Sequence, residues 1–175
     1  MRSLATLAVF FLVAACQTTP PEPEFTDADR QAVAEEVKEV SGNWLANWAR
    51  NDVSAALGVL VDDAGAYFVG DQGVFLNNLT FIPTAEETRA YWAPVEETRT
   101  ASRMFPSQES IAVLSPDHAV QVWVGEWNVT DTEGVTTPNA RQTITLVWVR
   151  QAGTWRILHW HQSWTRTPVE SQTEG

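Results

Sequence analysis

The chain has 175 residues, nine of them tryptophan and one cysteine, with a formal net charge of −11. That charge repels phosphates, which argues against nucleic acid as a partner and against electrostatic capture by anionic lipid head groups. A single cysteine excludes an intramolecular disulfide.

The N-terminus reads as an address. Met1-Arg2-Ser3 precede an apolar run from Leu4 to Ala15, followed by Cys16. A basic start, a short apolar core and small residues describe an export signal, and the run is shorter than the roughly 20 residues of a membrane-spanning helix. Val13-Ala14-Ala15-Cys16 resembles the bacterial lipoprotein lipobox. The resemblance implies a signal peptide over residues 1–15, lipidation of Cys16 and membrane attachment through that lipid anchor only. Because Gln17 rather than Asp follows the cysteine, it also implies transfer to the outer membrane, facing the periplasm. Residues 16–25 hold three prolines and predict an extended tether of about 25 Å at roughly 3.1 Å per residue. Residues 26–166 form one domain, and residues 167–175 an acidic, disordered tail.

Within the domain, Thr26 and Asp29 have capping-box spacing. Val33, Val37, Val40, Trp44 and Trp48 then make one stripe on a helix. Asn51-Asp52 breaks it, and Asp52 caps a short second helix through Leu60. A strand over Ala66–Val69, a turn at Gly70–Gly73 and a return over Val74–Leu76 come next. Thr84-Ala85-Glu86-Glu87 starts a third helix, which Pro94 ends or kinks. Thr88, Tyr91, Trp92 and Val95 share its buried side. From Ala101 the period becomes two, with strands over Ala101–Leu114, Ala119–Val129, Thr136–Arg150 and Thr154–Thr165. Pro106 marks a bulge or edge in the first of these. Helices followed by a meander of long strands predict an α+β fold.

The alternation is apolar on both faces. Gln121, Trp123, Gly125 and Trp127 alternate with Val120, Val122, Val124 and Glu126; Ile144, Leu146 and Trp148 alternate with Thr143, Thr145, Val147 and Val149. A sheet with one wet side carries polar residues there. One face therefore meets the helices and the other predicts a second copy of the chain, in a C2 homodimer.

This order of elements, ending in TWRILHWHQSW, resembles the nuclear transport factor 2-like superfamily, in its SnoaL-like and ketosteroid-isomerase-like branch. VWVRQAGTWRILHWHQS is also similar to the end of the association domain of calcium/calmodulin-dependent protein kinase, which shares that fold. The resemblance implies a strongly bent antiparallel sheet wrapped on three N-terminal helices, a cone with a ligand pocket, and dimers through the outer sheet face. The arginines that line the kinase-domain pocket correspond to Gly125, Leu146 and Gln162 here, so that mode of carboxylate binding is lost. The Asp base and oxyanion hole of ketosteroid isomerases have no counterpart that aligns.

The candidate ligand-binding set is Tyr67, Trp92, Gln121, Trp123, Trp127, Leu146, Trp148, Leu158, Trp160 and Gln162. Trp164 shares the parity of Trp160. An aromatic wall with a few amides suits a small apolar or aromatic ligand oriented by hydrogen bonds. His159 and His161 share one face, two residues apart. They are candidate general acid–base groups if that face lines the cavity, and otherwise lie on the outer face or in the dimer contact. No metal site or cofactor is expected from so few histidines. Asp62-Asp63 and Glu86-Glu87 sit where turns and helix starts favour acids. Three readings are open: a binding domain, an isomerase, cyclase or dehydratase using a His or a buried carboxylate as base, and a dimeric assembly module. A titratable group deep in the cone favours the enzyme, a pocket without one favours binding, and a cone filled by its own tryptophans favours assembly.

Overall fold

The structure, a computed structural model, describes residues 24–62, 67–71 and 79–165. The signal, lipobox, tether, tail and the Val74–Leu76 return strand lie outside the described residues. Helix α1 (Asp27–Ala49) opens on the expected capping box: Asp29 N–H donates to the Thr26 hydroxyl, and Thr26 N–H donates to the Asp29 carboxylate. The Thr26 hydroxyl also donates to that carboxylate at 2.6 Å, and this bond first, then the one from Thr26 N–H, holds the Asp29 carboxyl below its ordinary range. Asn51 takes a left-handed backbone at φ 58°, which a short amide side chain tolerates, and ends the first helical segment. Asp52 then caps α2 (Val53–Leu57) by accepting from Ala55 N–H. The helix stops at Leu57, short of Leu60, because Leu60 bridges instead to Ile157.

Strand β1 (Tyr67–Asp71) pairs with β2 (Leu79–Ile82), so Gly70 and Asp71 belong to a strand rather than to a turn. Helix α3 (Ala85–Trp92) is capped by Thr84. Pro94 then initiates a separate turn, α4 (Val95–Thr98). The long strands come after it as β3 (Arg99–Ser115), β4 (His118–Asp131), β5 (Thr136–Gln151) and β6 (Thr154–Thr165). The sheet order is β2-β1-β6-β5-β4-β3. It departs from the expected antiparallel pattern at one seam, since β1 runs parallel to β6. Ala152 and Gly153, both at positive φ, make the two-residue turn between β5 and β6.

Five register shifts shape the meander. β3 bulges between Arg99 and Ala101, between Pro106 and Gln108 and between Val113 and Ser115, β5 between Thr137 and Ala140, opposite Trp127 and Val129 of β4, and β6 between Ile157 and His159. Each adds a residue that bends the strand and re-aims the side chains beyond it. At the Pro106 bulge, β3 closes over Gly125: a Cβ there would lie 2.9 Å from Phe105 C and from Pro106 Cα, so only glycine fits. The core lies between α1 and the concave sheet face, where Val33, Val37, Ser41, Trp44 and Trp48 meet Trp123, Ile144, Leu146, Trp148 and Trp160.

Candidate functional site: the aromatic interior

Indoles from three parts of the chain converge on Trp160 of β6. Trp92 of α3 stacks on it at 5.4 Å and 15°, while Trp44 of α1 meets it edge-on at 5.3 Å. Trp48 lies 5.8 Å away and Phe68 of β1 4.8 Å away. Trp123 extends the cluster through Trp44, at 6.3 Å, and Tyr91 caps it beside Trp92 and Phe68. The helical i, i+4 spacing sets Trp44 and Trp48 side by side, and strand alternation delivers Trp123 and Trp160 to the same side.

Of the predicted set, Trp92, Trp123, Trp127, Leu146, Trp148, Trp160, Gln121 and Gln162 are all buried. Tyr67 takes its place on β1 opposite His159, and Trp164 lies opposite Gln142. Leu158 packs against the core from a bulge position. The bulge pairs Val147 with His159 and Trp148 with Ile157, so Leu158 is the extra residue. Ile157 is fully buried in its stead, and Leu158 is half-buried. His159 and His161 stand opposite Val147 and Thr145, on the outer face, half-buried. His161 Nε2 lies 3.2 Å from the Ser163 hydroxyl. Among the described residues, no group of three His, Cys, Asp or Glu could hold a metal ion.

Two of the amides differ sharply. Gln121 is fully engaged: its Nε2 donates to the Ser41 hydroxyl at 2.8 Å and to Glu109 at 2.7 Å, and its Oε1 accepts from Trp148 Nε1 at 2.9 Å. These bonds fix the sheet to α1 and leave Gln121 and Trp148 nothing to offer a ligand. Gln142, absent from the predicted set, is 1% exposed, and both its Oε1 and Nε2 lack partners. It was legible, because it extends the Ile144, Leu146, Trp148 alternation by one step. Ser102 is also fully buried with an unpaired hydroxyl. Trp44, Trp48, Trp92, Trp123 and Trp160 each bury an indole N–H without a partner. Buried polar groups are paired in at least about 90% of cases, and an unmade bond costs about 1–3 kcal/mol. The unpaired donors of α1 (Trp44, Trp48), α3 (Trp92) and the sheet (Trp123, Trp160) belong to one ring cluster. Among the described residues, the buried polar side chains are Ser41, Thr88, Ser102, Gln121, Gln142 and Gln162; none is a carboxylate or an imidazole.

One cation borders this face. The Arg99 guanidinium stands 5.0 Å over the Trp127 ring, and burial draws its pKa below the usual arginine value against the opposing influence of Tyr91.

Solved structures share this architecture. A protein from Salmonella enterica serovar Typhimurium, described as a nuclear transport factor 2-like superfamily protein, aligns at TM-score 0.65 and 15% identity over 82% of this chain and 98% of its own. The fold is the nuclear transport factor 2-like fold. A chain from Xanthomonas campestris, described as a calcium/calmodulin dependent protein kinase II association domain, aligns at TM-score 0.61 and 20% identity over 75% of this chain and 87% of its own. One from Novosphingobium aromaticivorans, described as a scytalone dehydratase, aligns at TM-score 0.65 and 10% identity over 81% and 89%. No protein-family model and no curated protein matches the chain. At these identities the likeness shows the nuclear transport factor 2-like fold, which hosts many unrelated functions. Gly125 is closed off by the β3 bulge and Leu146 is fully buried.

Proposed function

We propose that the chain is a small-molecule-binding domain whose concave face takes a flat, largely apolar ligand carrying hydrogen-bond acceptors. The observation that carries this reading is the set of buried, unpaired donors on Trp44, Trp48, Trp92, Trp123, Trp160 and Gln142. A ligand wedged among these rings gains dispersion and apolar burial from the indole faces and orientation from their N–H groups. Structural neighbours described as a dehydratase and as a dehydrochlorinase agree with a fold that takes small molecules. Binding rather than acid–base catalysis is supported by the lack of any buried carboxylate or imidazole among the described residues.

The domain is held at the outer membrane, facing the periplasm, by lipid on Cys16, and works as a homodimer through the outer sheet face. Native mass spectrometry of the purified protein tests the ligand reading. The expected spectrum shows a mass increment of a few hundred daltons, lost on collisional activation, and loading falls in Trp160→Phe, which keeps an aromatic ring but removes one donor. A spectrum without any adduct, together with unchanged tryptophan emission across a panel of aromatic compounds, would overturn it. For the address, Cys16→Ser should move the protein out of the membrane fraction, and unchanged fractionation would refute lipidation.

A further inference from the structure

We propose that the concave face reads an anionic group on its ligand, a carboxylate carried by an aromatic or alicyclic frame, and that Arg99 is the residue that holds it. The proposal rests on the reading of that face as a ligand site.

Arg99 reaches the face through a bulge. β3 pairs Arg99 with Asp131 and Ala101 with Thr130, so Thr100 is an extra residue. By simple alternation Arg99 would share a side with Ala101, away from the buried Ser102. With Thr100 inserted it shares the side of Ser102 and Met104, whose cross-strand partners are Val129 and Trp127. The position is then locked, because Asn51 Nδ2 donates to the Arg99 carbonyl at 2.7 Å and to that of Glu96 at 3.1 Å. The guanidinium lies over Trp127, and its Nη1 is buried without a hydrogen-bond partner. Stacking uses the face of a guanidinium and leaves the N–H groups on its edge, the arrangement that matches a carboxylate.

The acid opposite it in the ladder makes no ion pair with it. Asp131, opposite Arg99 in the ladder, spends its Oδ1 on the backbone N–H groups of Glu133 and Val135, at 2.9 and 2.8 Å. The salt bridges among the described residues join Arg89 to Asp62 and Arg150 to Glu36 and Asp117; none involves Arg99. A half-buried cation without a counter-ion is costly, and an arriving anion removes that cost. The chain as a whole carries −11, so affinity for an anion here must be local.

Isothermal titration of the whole protein with 2-naphthoate and with its neutral isostere 2-naphthamide tests this. The expected result is naphthoate binding about tenfold or more tighter, the scale of one charge-assisted hydrogen-bond pair. In Arg99→Gln, naphthoate should fall to the affinity of the amide while the amide itself is unchanged, and Arg99→Lys should restore part of the difference. Equal wild-type affinity for acid and amide would overturn the proposal while leaving the ligand site standing. A preference for the acid that survives in Arg99→Gln would remove Arg99 as its holder. Binding of neither compound would take down the ligand site and this proposal together. Where Arg99→Gln does not fold, the wild-type acid-to-amide ratio and the Arg99→Lys protein decide.

Discussion

Gln121 and Gln142 are the same residue type, both buried on the same concave sheet face, and the chain uses them in opposite ways. Gln121 accepts from Trp148 and donates to Ser41 and Glu109, so its amide is part of the scaffold. Gln142 has no partner at either end of its amide. Replacement by leucine, of nearly equal volume, should separate them. Gln121→Leu strands the buried Trp148 N–H and loses the tie to α1, an expected loss of about 2–4 kcal/mol in urea unfolding. Gln142→Leu removes two unmet polar atoms from an apolar setting, so stability should be unchanged or higher while ligand affinity falls. Equal destabilisation by both would mean that Gln142 is a structural residue as well. Sequence alone does not make this distinction: alternation places an amide on a face, but whether that amide is already bonded depends on Ser41 and Glu109, 80 and 12 residues away.

At the level of elements, the signals legible in the sequence are those with local chemistry. Thr26 with Asp29 and Thr84 with Glu87 mark helix starts through bonds made within four residues. Pro106 marks its bulge because it has no N–H to give the ladder. The bulges at Thr100 and Leu158 carry no proline or glycine, and each turns the neighbouring residues by one step of alternation. That is why strict alternation puts Leu158 on the concave face in place of Ile157, and why it leaves Arg99 off that face. Gly125 shows how tightly the bent sheet constrains its residues. Gly125→Ala drives a methyl group into the backbone of Phe105 and Pro106, which cannot swing aside as a side-chain tip would. The expected cost is about 1–3 kcal/mol, read as a lower urea midpoint at unchanged slope. A change within about 0.5 kcal/mol, the ordinary scatter of surface substitutions, would mean that the β3 crossover is loose.

On the scale of the whole molecule, both sides of one sheet carry apolar side chains. The concave side packs against α1 and the indoles, and the convex side presents rows that run across four strands. Ser110, Val122, Thr145 and His161 form one such row; Ala112, Val120, Val147 and His159 form another; Gln108, Val124, Thr143 and Ser163 form a third. The valines and threonines on this side are half-buried, and the only charge-capable members of these rows are the two histidines. Water against such a surface is unfavourable by about 25 cal/mol per Å² of apolar area, and a second copy packed face to face removes that area twice. Val122 lies at the middle of the central row, so a charge there should oppose association without touching the concave side. Val122→Asp should sediment as a monomer at concentrations where the wild type is a dimer, with its urea midpoint measured alongside. Because the two faces share only backbone, its affinity for an aromatic probe should persist. If Val122→Asp and the wild type both sediment as monomers at high micromolar concentration, the convex face is not a dimer contact. If the variant remains dimeric, the contact lies elsewhere on the molecule.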